Sequence, residues 1–365
     1  MKYLYKNYLP IKGVGKQWFS MKVLNKQIAP MRFVLIFSVL FTIVILSGCT
    51  RQSKVDGNHV TITNVSYDTT REFYEVYNKR FHDLYQQQTG LDVQVLQSHG
   101  GSGGQARAVM EGNNADVVTL GSEQDVNLLA RAGLINGDWR SQLPNNSAPY
   151  TSTIVMLVRK GNPKHIHDWN DIIAPDVRII APDPKSSSGA CWIFLGAWYY
   201  GLHHYYTEEG TKEFVRQLYR NVSVMDSGAR GATTTFVENG QGDVLLLWEN
   251  EALYLMEHYP ERFDLIVPSM SILAEPSVAV VTGITEKDST TQVSNDYLRN
   301  LYTEESQRLL ANYGFRPRNE QILREFSNKF DTSIQLGTVD DFGGWKAIYT
   351  KFFKDGGVFD EIYGS

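Results

Sequence analysis

The chain has 365 residues, 42% of them hydrophobic and 12% aromatic, which is enough apolar material for packed cores and a length that suits two lobes or domains. Its 35 Lys and Arg against 40 Asp and Glu give a formal net charge of −5. Nucleic acids attract basic surfaces, so this balance argues against a nucleic-acid partner.

The first 48 residues differ from the rest, because they contain seven Lys and Arg and no Asp or Glu. An apolar run follows from 33 to 46, too short for a membrane span of roughly 20 residues. It ends in Leu46, Ser47, Gly48 and Cys49, which resembles a bacterial lipobox. We therefore predict a signal peptide over 1–48, lipidation at Cys49 and a tether over 49–57. An uncleaved anchor helix and a translation start at Met21 or Met31 stay open.

Without residues 1–48 the chain keeps 28 Lys and Arg against 40 Asp and Glu, a formal charge of −12. A lipid on Cys49 would leave Cys191 without a partner, so we expect a fold without disulfides. Histidine pairs occur at 165/167 and 203/204, but no cysteine lies at ligand spacing from them. We predict no metal and no cofactor.

Strand and helix patterns alternate along the remaining chain. Strand patterns lie at 60–65, 93–96, 116–120, 154–158 and 177–180, and helical spacing follows at 73–84 and 105–111. The stretch 109–118 is echoed at 237–245, where a helix again ends at Gly before an Asp-Val strand. The pattern predicts an α/β fold with mostly parallel sheets flanked by helices, and the echo favours two similar lobes.

Three turns rich in Ser and Gly each follow a strand pattern and open a helix; they lie at 98–104, 184–189 and 226–231. A helix N-terminus offers free N–H groups and a partial positive charge, and glycine lets a ligand approach the backbone. Ser and Gly also serve as plain caps, but three such turns in one chain indicate an anion ligand. About seven hydrogen bonds at roughly 1.5 kcal/mol each would suffice for micromolar binding, which needs about −8 kcal/mol, without a Lys or Arg clamp.

The first turn also fits the G-x-S-x-G nucleophile elbow of α/β-hydrolases, which would make Ser102 a nucleophile. That alternative needs a downstream acid and histidine, and the last histidine is His258. A phosphate-binding P-loop is excluded, because no Gly-Lys-Ser/Thr follows the turn.

The chain resembles the sulfate-binding proteins of bacterial sulfate and thiosulfate ABC importers from about residue 58 to its C-terminus. The matching stretches are 64–72 (NVSYDTTRE), 97–103 (QSHGGSG), 148–154 (APYTSTI), 226–231 (DSGARG), 242–252 (GDVLLLWENEA), 272–277 (ILAEPS), 315–318 (FRPR) and 342–345 (FGGW). The resemblance implies a two-lobed periplasmic-binding fold of type II, with the ligand in the cleft between the lobes. It implies first-lobe segments at 58–148 and 268–300, a second lobe at 149–267, and C-terminal helices over 301–365.

The resemblance also implies that seven neutral donors hold the sulfate. These would be the backbone N–H groups of Asp68, Ser188, Gly189 and Ala229, the hydroxyls of Ser102 and Ser187, and the indole N–H of Trp248. Three positions depart from the family pattern, which has Pro at Thr69, Gly at Ser188 and Arg at Cys191. We expect these departures to weaken the long-range attraction of the anion and to leave the binding site intact.

From this pattern we expect a binding protein without catalytic activity, located in the periplasm or at the cell-envelope surface. It would be a monomer, tethered to the membrane by its lipid, that delivers sulfate to the ABC permease of the inner membrane. Thiosulfate or another oxyanion stays open as the ligand. A cage of donors alone should disfavour phosphate, which is partly protonated at neutral pH, and the larger molybdate and tungstate should fit poorly.

Overall fold

The computed structural model describes residues 54–364. The predicted signal peptide, Cys49 and the part of the tether before residue 54 lie outside these residues. Residues 54–364 belong to one compact unit. None of the helices within 54–364 combines the length and the apolar character that crossing a bilayer requires.

The strands of the described residues belong to two five-stranded sheets and two small ladders. In chain order they are β1 (Val55–Asp56), β2 (His59–Tyr67), β3 (Asp92–Gly100), β4 (Val117–Leu120), β5 (Tyr150–Thr151), β6 (Ile154–Arg159), β7 (Ile179–Pro182), β8 (Val222–Asp226), β9 (Val244–Trp248), β10 (Phe263–Ile266), β11 (Met270–Ile272), β12 (Ser277–Val280), β13 (Arg316–Pro317) and β14 (Gln335–Gly337).

The α-helices of the same residues lie mostly between successive strands. They are α1 (Arg71–Thr89), α2 (Ser102–Met110), α3 (Glu123–Arg131), α4 (Pro144–Ser147), α5 (Ser188–Tyr205), α6 (Glu208–Arg220), α7 (Ala229–Val237), α8 (Glu249–His258), α9 (Thr282–Asp288), α10 (Thr291–Asn300), α11 (Glu304–Asn312), α12 (Glu320–Glu325), α13 (Trp345–Ile348) and α14 (Val358–Tyr363). Single 3-10 turns lie at Asp68–Thr70, Trp139–Ser141, Asp171–Ile173 and Val339–Phe342, and a π-helical turn lies at Tyr349–Phe353.

Each large sheet contains three strands that run parallel to one another and two strands that pair antiparallel with a neighbour. In sheet 1, β2 pairs in parallel with β3 and β4, whereas β1 and β12 run antiparallel to their neighbours. In sheet 2, β7 pairs in parallel with β8 and β9, whereas β6 and β10 are antiparallel. We call sheet 1 with the helices of 71–131 the first lobe, and sheet 2 with the helices of 188–258 the second lobe.

The α/β fold with helix-flanked sheets is confirmed, and the antiparallel strands add a detail to the predicted mostly parallel sheets. Strand β6 is the first strand of sheet 2 along the chain, and β12 is the strand on which the chain returns to sheet 1. These strands enter a sheet from the other lobe rather than through a helical crossover, so they need not run parallel to their neighbours. Between the lobes, β5 pairs with β13, and Ser152 forms a bridge with Ala274.

The helices cover the sheets with apolar faces that the sequence spacing indicates. Helix α1 buries Phe73, Tyr77 and Phe81 at intervals of four residues, and Gly90 caps its C-terminus with a left-handed φ of 76° that favours glycine. Helix α5 is buried on nearly all sides, which explains its aromatic-rich sequence. The echoed stretches correspond to the connections from α2 to β4 and from α7 to β9, which join the parallel strands of the two lobes in the same way.

Candidate anion site

Six strand ends meet in the cleft between the lobes. The parallel strands β2, β3 and β4 of the first lobe end at Tyr67, Gly100 and Leu120, and their counterparts β7, β8 and β9 end at Pro182, Asp226 and Trp248. In parallel α/β sheets, ligands bind beyond these carboxyl ends, where the following helices point their N-termini. All seven predicted site residues lie at one of these ends or in the turn and first helical residues that follow it.

The first Ser/Gly turn contacts both of the others. A β-carbon on Gly101 would lie 3.2 Å from the carbonyl oxygen of Ser186 and 3.5 Å from that of Ser227. The Ser186 hydroxyl in turn donates to the Ser227 carbonyl at 2.8 Å. Gly101 is therefore needed for a close backbone approach, and this approach brings the N-termini of α2, α5 and α7 to one place.

Asp68 and Ala229 are brought together across the cleft. Asp68 opens the 3-10 turn after β2, and its Oδ2 lies 2.8 Å from the point that a β-carbon on Gly228 would occupy. Burial raises the pKa of the Asp68 carboxyl, while the backbone N–H and the guanidinium of Arg230 act in the opposite direction. The carboxylate is thus occupied with the start of α7, and Ala229 is the first residue of that helix.

Trp248 lies at the end of β9 with only 2% of its surface exposed. Its indole nitrogen is 2.4 Å from where a β-carbon on Gly189 would be, so the ring rests on the first turn of α5. Among the described residues we find no acceptor for this indole N–H. This open donor lies beside the N–H groups of Ser188 and Gly189, which the first turn of α5 leaves without intrahelical partners.

The Ser102 hydroxyl already has two partners. It accepts the N–H of Gly121 at 2.9 Å and donates to Oδ2 of Asp125 at 2.7 Å. The Ser122 hydroxyl also donates to this oxygen, at 2.9 Å, and burial raises the pKa of the Asp125 carboxyl. A hydroxyl has one proton to donate, so Ser102 must turn it away from Asp125 to bind an anion through its side chain.

Two cations near the cleft, Arg230 and Lys185, have carboxylate partners. Arg230, directly after Ala229, pairs with Glu72 of the first lobe and lies 3.5 Å from Oε1 of Glu251. In the second turn, Lys185 pairs with Asp360 at 2.9 Å. Within residues 54–364 there is no group of three or more His, Cys, Asp and Glu that could hold a metal. At the end of β8, Oδ2 of Asp226 is buried without a hydrogen-bond partner.

A cavity of about 430 Å³ opens beside the second turn, where the resemblance leads us to expect an arginine. Ser187, Ser188 and Cys191 line it on one side, and Arg107 lines it from the first lobe. The Cys191 thiol donates to the carbonyl of Pro184 at 3.3 Å, and burial raises its pKa well above the usual range. Position 191 therefore contributes a neutral thiol to this cavity.

Sequence reasoning missed several residues that support the site. Glu249, next to Trp248, forms a buried bidentate pair with Arg316 at 2.6 and 2.7 Å, which holds the start of α8. Gly121 and Ser122 form a further Gly-Ser turn after a strand, the same signal that identified the other three turns. Trp192 is buried in α5, and its indole N–H donates to the carbonyl of Gly121.

Comparison with known proteins identifies the relatives of this chain. The family model for the bacterial extracellular solute-binding protein matches residues 69–316. The sulfate-binding protein of Escherichia coli K12 is 51% identical over 313 residues, which is 85% of this chain and 95% of the relative. The thiosulfate-binding protein of Pseudomonas aeruginosa is 42% identical over 304 residues, which is 83% of this chain and 92% of the relative. The solved sulfate-binding protein SubI from Mycobacterium tuberculosis H37Rv superposes with a TM-score of 0.73 at 31% identity, covering 80% of this chain and 99% of SubI.

Proposed function

Since the chain belongs to the bacterial extracellular solute-binding proteins, and among them to the sulfate- and thiosulfate-binding proteins, we propose that it captures sulfate and delivers it to an ABC importer. The fold is the two-lobed fold of these proteins. The observation that supports sulfate most directly is the set of neutral donors at the six strand ends, with the unpartnered indole N–H of Trp248 among them.

The anion would be held by the N–H groups of Asp68, Ser188, Gly189 and Ala229, the hydroxyls of Ser102 and Ser187, and the Trp248 indole. Sulfate carries no proton at neutral pH, so donors alone satisfy it. Phosphate would bring a proton that needs an acceptor. The Asp125 carboxylate already accepts from Ser102 and Ser122, and Asp68 accepts from the backbone of Arg230, whereas Oδ2 of Asp226 is buried without a partner. Leaving that proton unpaired in a buried site would cost about 1–3 kcal/mol.

The direct test is isothermal titration of ligand-stripped, full-length protein in detergent with sulfate, thiosulfate, phosphate and molybdate at neutral pH. We expect one-to-one sulfate binding near the micromolar range and no heat from phosphate. Thiosulfate is the second candidate, because the relatives include thiosulfate-binding proteins and one sulfur replaces one oxygen. Folded protein that binds neither anion would refute the proposal.

We propose binding without catalysis. The hydrolase alternative needs a histidine beside Ser102, but the hydrogen bonds of this hydroxyl within residues 54–364 join it to the Gly121 N–H and the Asp125 carboxylate, and neither partner is a histidine. A fluorophosphonate probe should therefore leave Ser102 unlabelled. Labelling of Ser102 would contradict the proposal and support the hydrolase alternative.

We further propose a monomer anchored through Cys49, facing the periplasm or the outside of the cell and docking on the permease of the inner membrane. Residues 1–48 would be removed as the signal peptide, and the lobes would comprise 58–148 with 268–300, and 149–267. Metabolic labelling with a radioactive fatty acid tests the anchor, since Cys49→Ser should lose the label. Equal labelling of this variant would exclude lipidation at Cys49.

A further inference from the structure

One hydrogen bond joins the two lobes directly beside the proposed anion site. The indole N–H of Trp192, on α5 of the second lobe, donates to the carbonyl of Gly121 in the first lobe at 2.7 Å. Trp192 is completely buried, so the bond is shielded from competing water. Trp192 lies one helical turn after Ser188, so the bond ties the helix that supplies two proposed donors to the other lobe.

Gly121 is enclosed by serines from both lobes. A β-carbon on it would lie 2.0 Å from Oγ and 3.1 Å from Cβ of Ser188, and 3.6 Å from Cβ of Ser102. The absence of a side chain is thus what allows α5 to approach the end of β4. Separating the lobes would remove both this contact and the acceptor of the Trp192 indole.

The same glycine bonds the proposed ligand residue Ser102. Its N–H donates to Oγ of Ser102 at 2.9 Å, while its carbonyl accepts from Trp192. The N–H of Gly121 occupies one lone pair of the Ser102 oxygen and fixes the position of that oxygen. The single hydroxyl proton stays free to point to another acceptor. The position of Gly121 therefore sets the position of the Ser102 hydroxyl, and Trp192 sets the position of Gly121.

The direction of the Trp192 donor is itself held by packing. The ring of Trp345, from the C-terminal segment, meets the Trp192 ring edge-on with centroids 4.8 Å apart. Aromatic rings favour this edge-to-face geometry, so the contact with Trp345 restrains the Trp192 ring from turning its N–H to another acceptor. The donor is pre-aligned for an acceptor that only the opposite lobe supplies.

From these contacts we propose that Trp192 is an inter-lobe positioning residue, whose bond to Gly121 holds the lobes together over the bound anion and orients the Ser102 hydroxyl. The inference rests on the proposed function for its effect on sulfate, but the bond itself does not depend on which anion binds. Lobe closure would then slow ligand release, because the anion cannot leave while the bond persists.

The test compares Trp192→Phe with Trp198→Phe in full-length protein. Trp198 is a matched control, because it lies on the same helix, is 1% exposed and packs against Phe194 of this helix and Phe352 of the C-terminal segment. We expect Trp192→Phe to weaken sulfate binding about tenfold, the size expected for one net hydrogen bond, mainly through faster dissociation in stopped-flow measurements. Trp198→Phe should change affinity by less than about twofold. Equal affinities and release rates in the two variants would overturn the inference.

A second substitution keeps the shape of the ring and removes only the donor. Incorporating benzothienylalanine at 192 replaces the indole N–H by sulfur, so a folding defect from lost volume does not arise. We expect the same faster release as in Trp192→Phe, and wild-type kinetics in this variant would overturn the role of the bond.

Hydrogen exchange separates this inference from the proposed function. In ligand-free protein, the amide of Gly121 should exchange faster in Trp192→Phe than in Trp198→Phe, because its support from the second lobe is lost. This readout stands even if the wild type binds no sulfate, a result that would refute the proposed function alone. Equal exchange of the 117–125 segment in both variants would refute the inference, whatever the ligand.

Discussion

Arg230 of the second lobe binds Glu72 of the first lobe with one guanidinium nitrogen, Nη2, which lies 3.0 Å from Oε1 and 3.2 Å from Oε2. Arg230 follows Ala229 at the start of α7, and Glu72 is the second residue of α1. The pair therefore connects the helices that begin on opposite sides of the proposed anion site. Its neighbour Glu251 is buried, and burial raises the pKa of that carboxyl.

Replacing Glu72 by Gln should loosen this connection. The pair is partly exposed, at 34% for Arg230 and 27% for Glu72, so we expect a loss of no more than about 1 kcal/mol in sulfate affinity at low salt. Screening should shrink the difference from wild type at about 1 M salt. Titration calorimetry at both salt concentrations measures it, with Glu325→Gln as control, since Glu325 pairs with Arg308 away from the cleft. An effect as large in the control would contradict a role in closure.

The Trp248→Phe substitution removes the unpartnered indole donor. Loss of one hydrogen bond to a charged ligand should lower sulfate affinity by about 1–3 kcal/mol. The free energy of unfolding without sulfate should fall only by the smaller packing loss, because the indole N–H has no protein acceptor to lose. Calorimetric titration and urea unfolding together separate the two effects. Unchanged affinity would remove Trp248 from the site.

The Gly189→Ala substitution places a methyl group 2.4 Å from the indole nitrogen of Trp248. The ring cannot yield without displacing its own neighbours, so the donor should move away from the site. We expect an affinity loss at least as large as in Trp248→Phe. Gly196→Ala, on the same helix, is the control, because its nearest neighbours are 3.4 Å away. Normal sulfate binding by Gly189→Ala would show that this backbone approach is unimportant.

His99 should make stability depend on pH. Burial, reinforced by the nearby Arg71, lowers the pKa of the His99 imidazole to about 4, and its Nδ1 has no hydrogen-bond partner. The unfolded chain, with a histidine pKa near 6.5, therefore binds more protons than the folded protein between these values. The contribution of neutral His99 is complete above pH 6.5 and is lost as the pH falls towards 4.

Urea unfolding at pH 5 and pH 7 tests this directly. His99→Gln should lose less free energy of unfolding between pH 7 and pH 5 than the wild type does. Its slope of unfolding free energy against pH should be smaller by an amount that corresponds to at most one bound proton. Exposed His167→Gln serves as control and should keep the wild-type dependence. The buried carboxyls of Asp68 and Glu251 oppose this trend, because their raised pKa values favour the folded state at lower pH. An unchanged slope in His99→Gln would contradict the lowered pKa of His99 in the folded protein.

The local features of this protein could be predicted from its sequence. Alternation and helical spacing indicated β2, α1 and the strands that follow, and the Ser/Gly turns indicated the N-termini of α2, α5 and α7. These signals are local, because a strand's alternation, a helix's apolar stripe and a glycine's backbone freedom depend on residues close together in the chain. The family resemblance joined the turns into one candidate site.

Tertiary structure alone decided how the lobes meet. The Trp192 bond to Gly121, the Ser102 proton directed at Asp125 and the Arg230 pair with Glu72 each join segments far apart in the chain. Whether the indole N–H of a buried tryptophan forms a hydrogen bond depends on whether the opposite lobe supplies an acceptor. The direction of a serine's single proton likewise depends on the acceptors around it. Composition and spacing determined which groups are available, whereas packing between the sheets determined which partner each group has, because those distances follow from the positions of whole lobes.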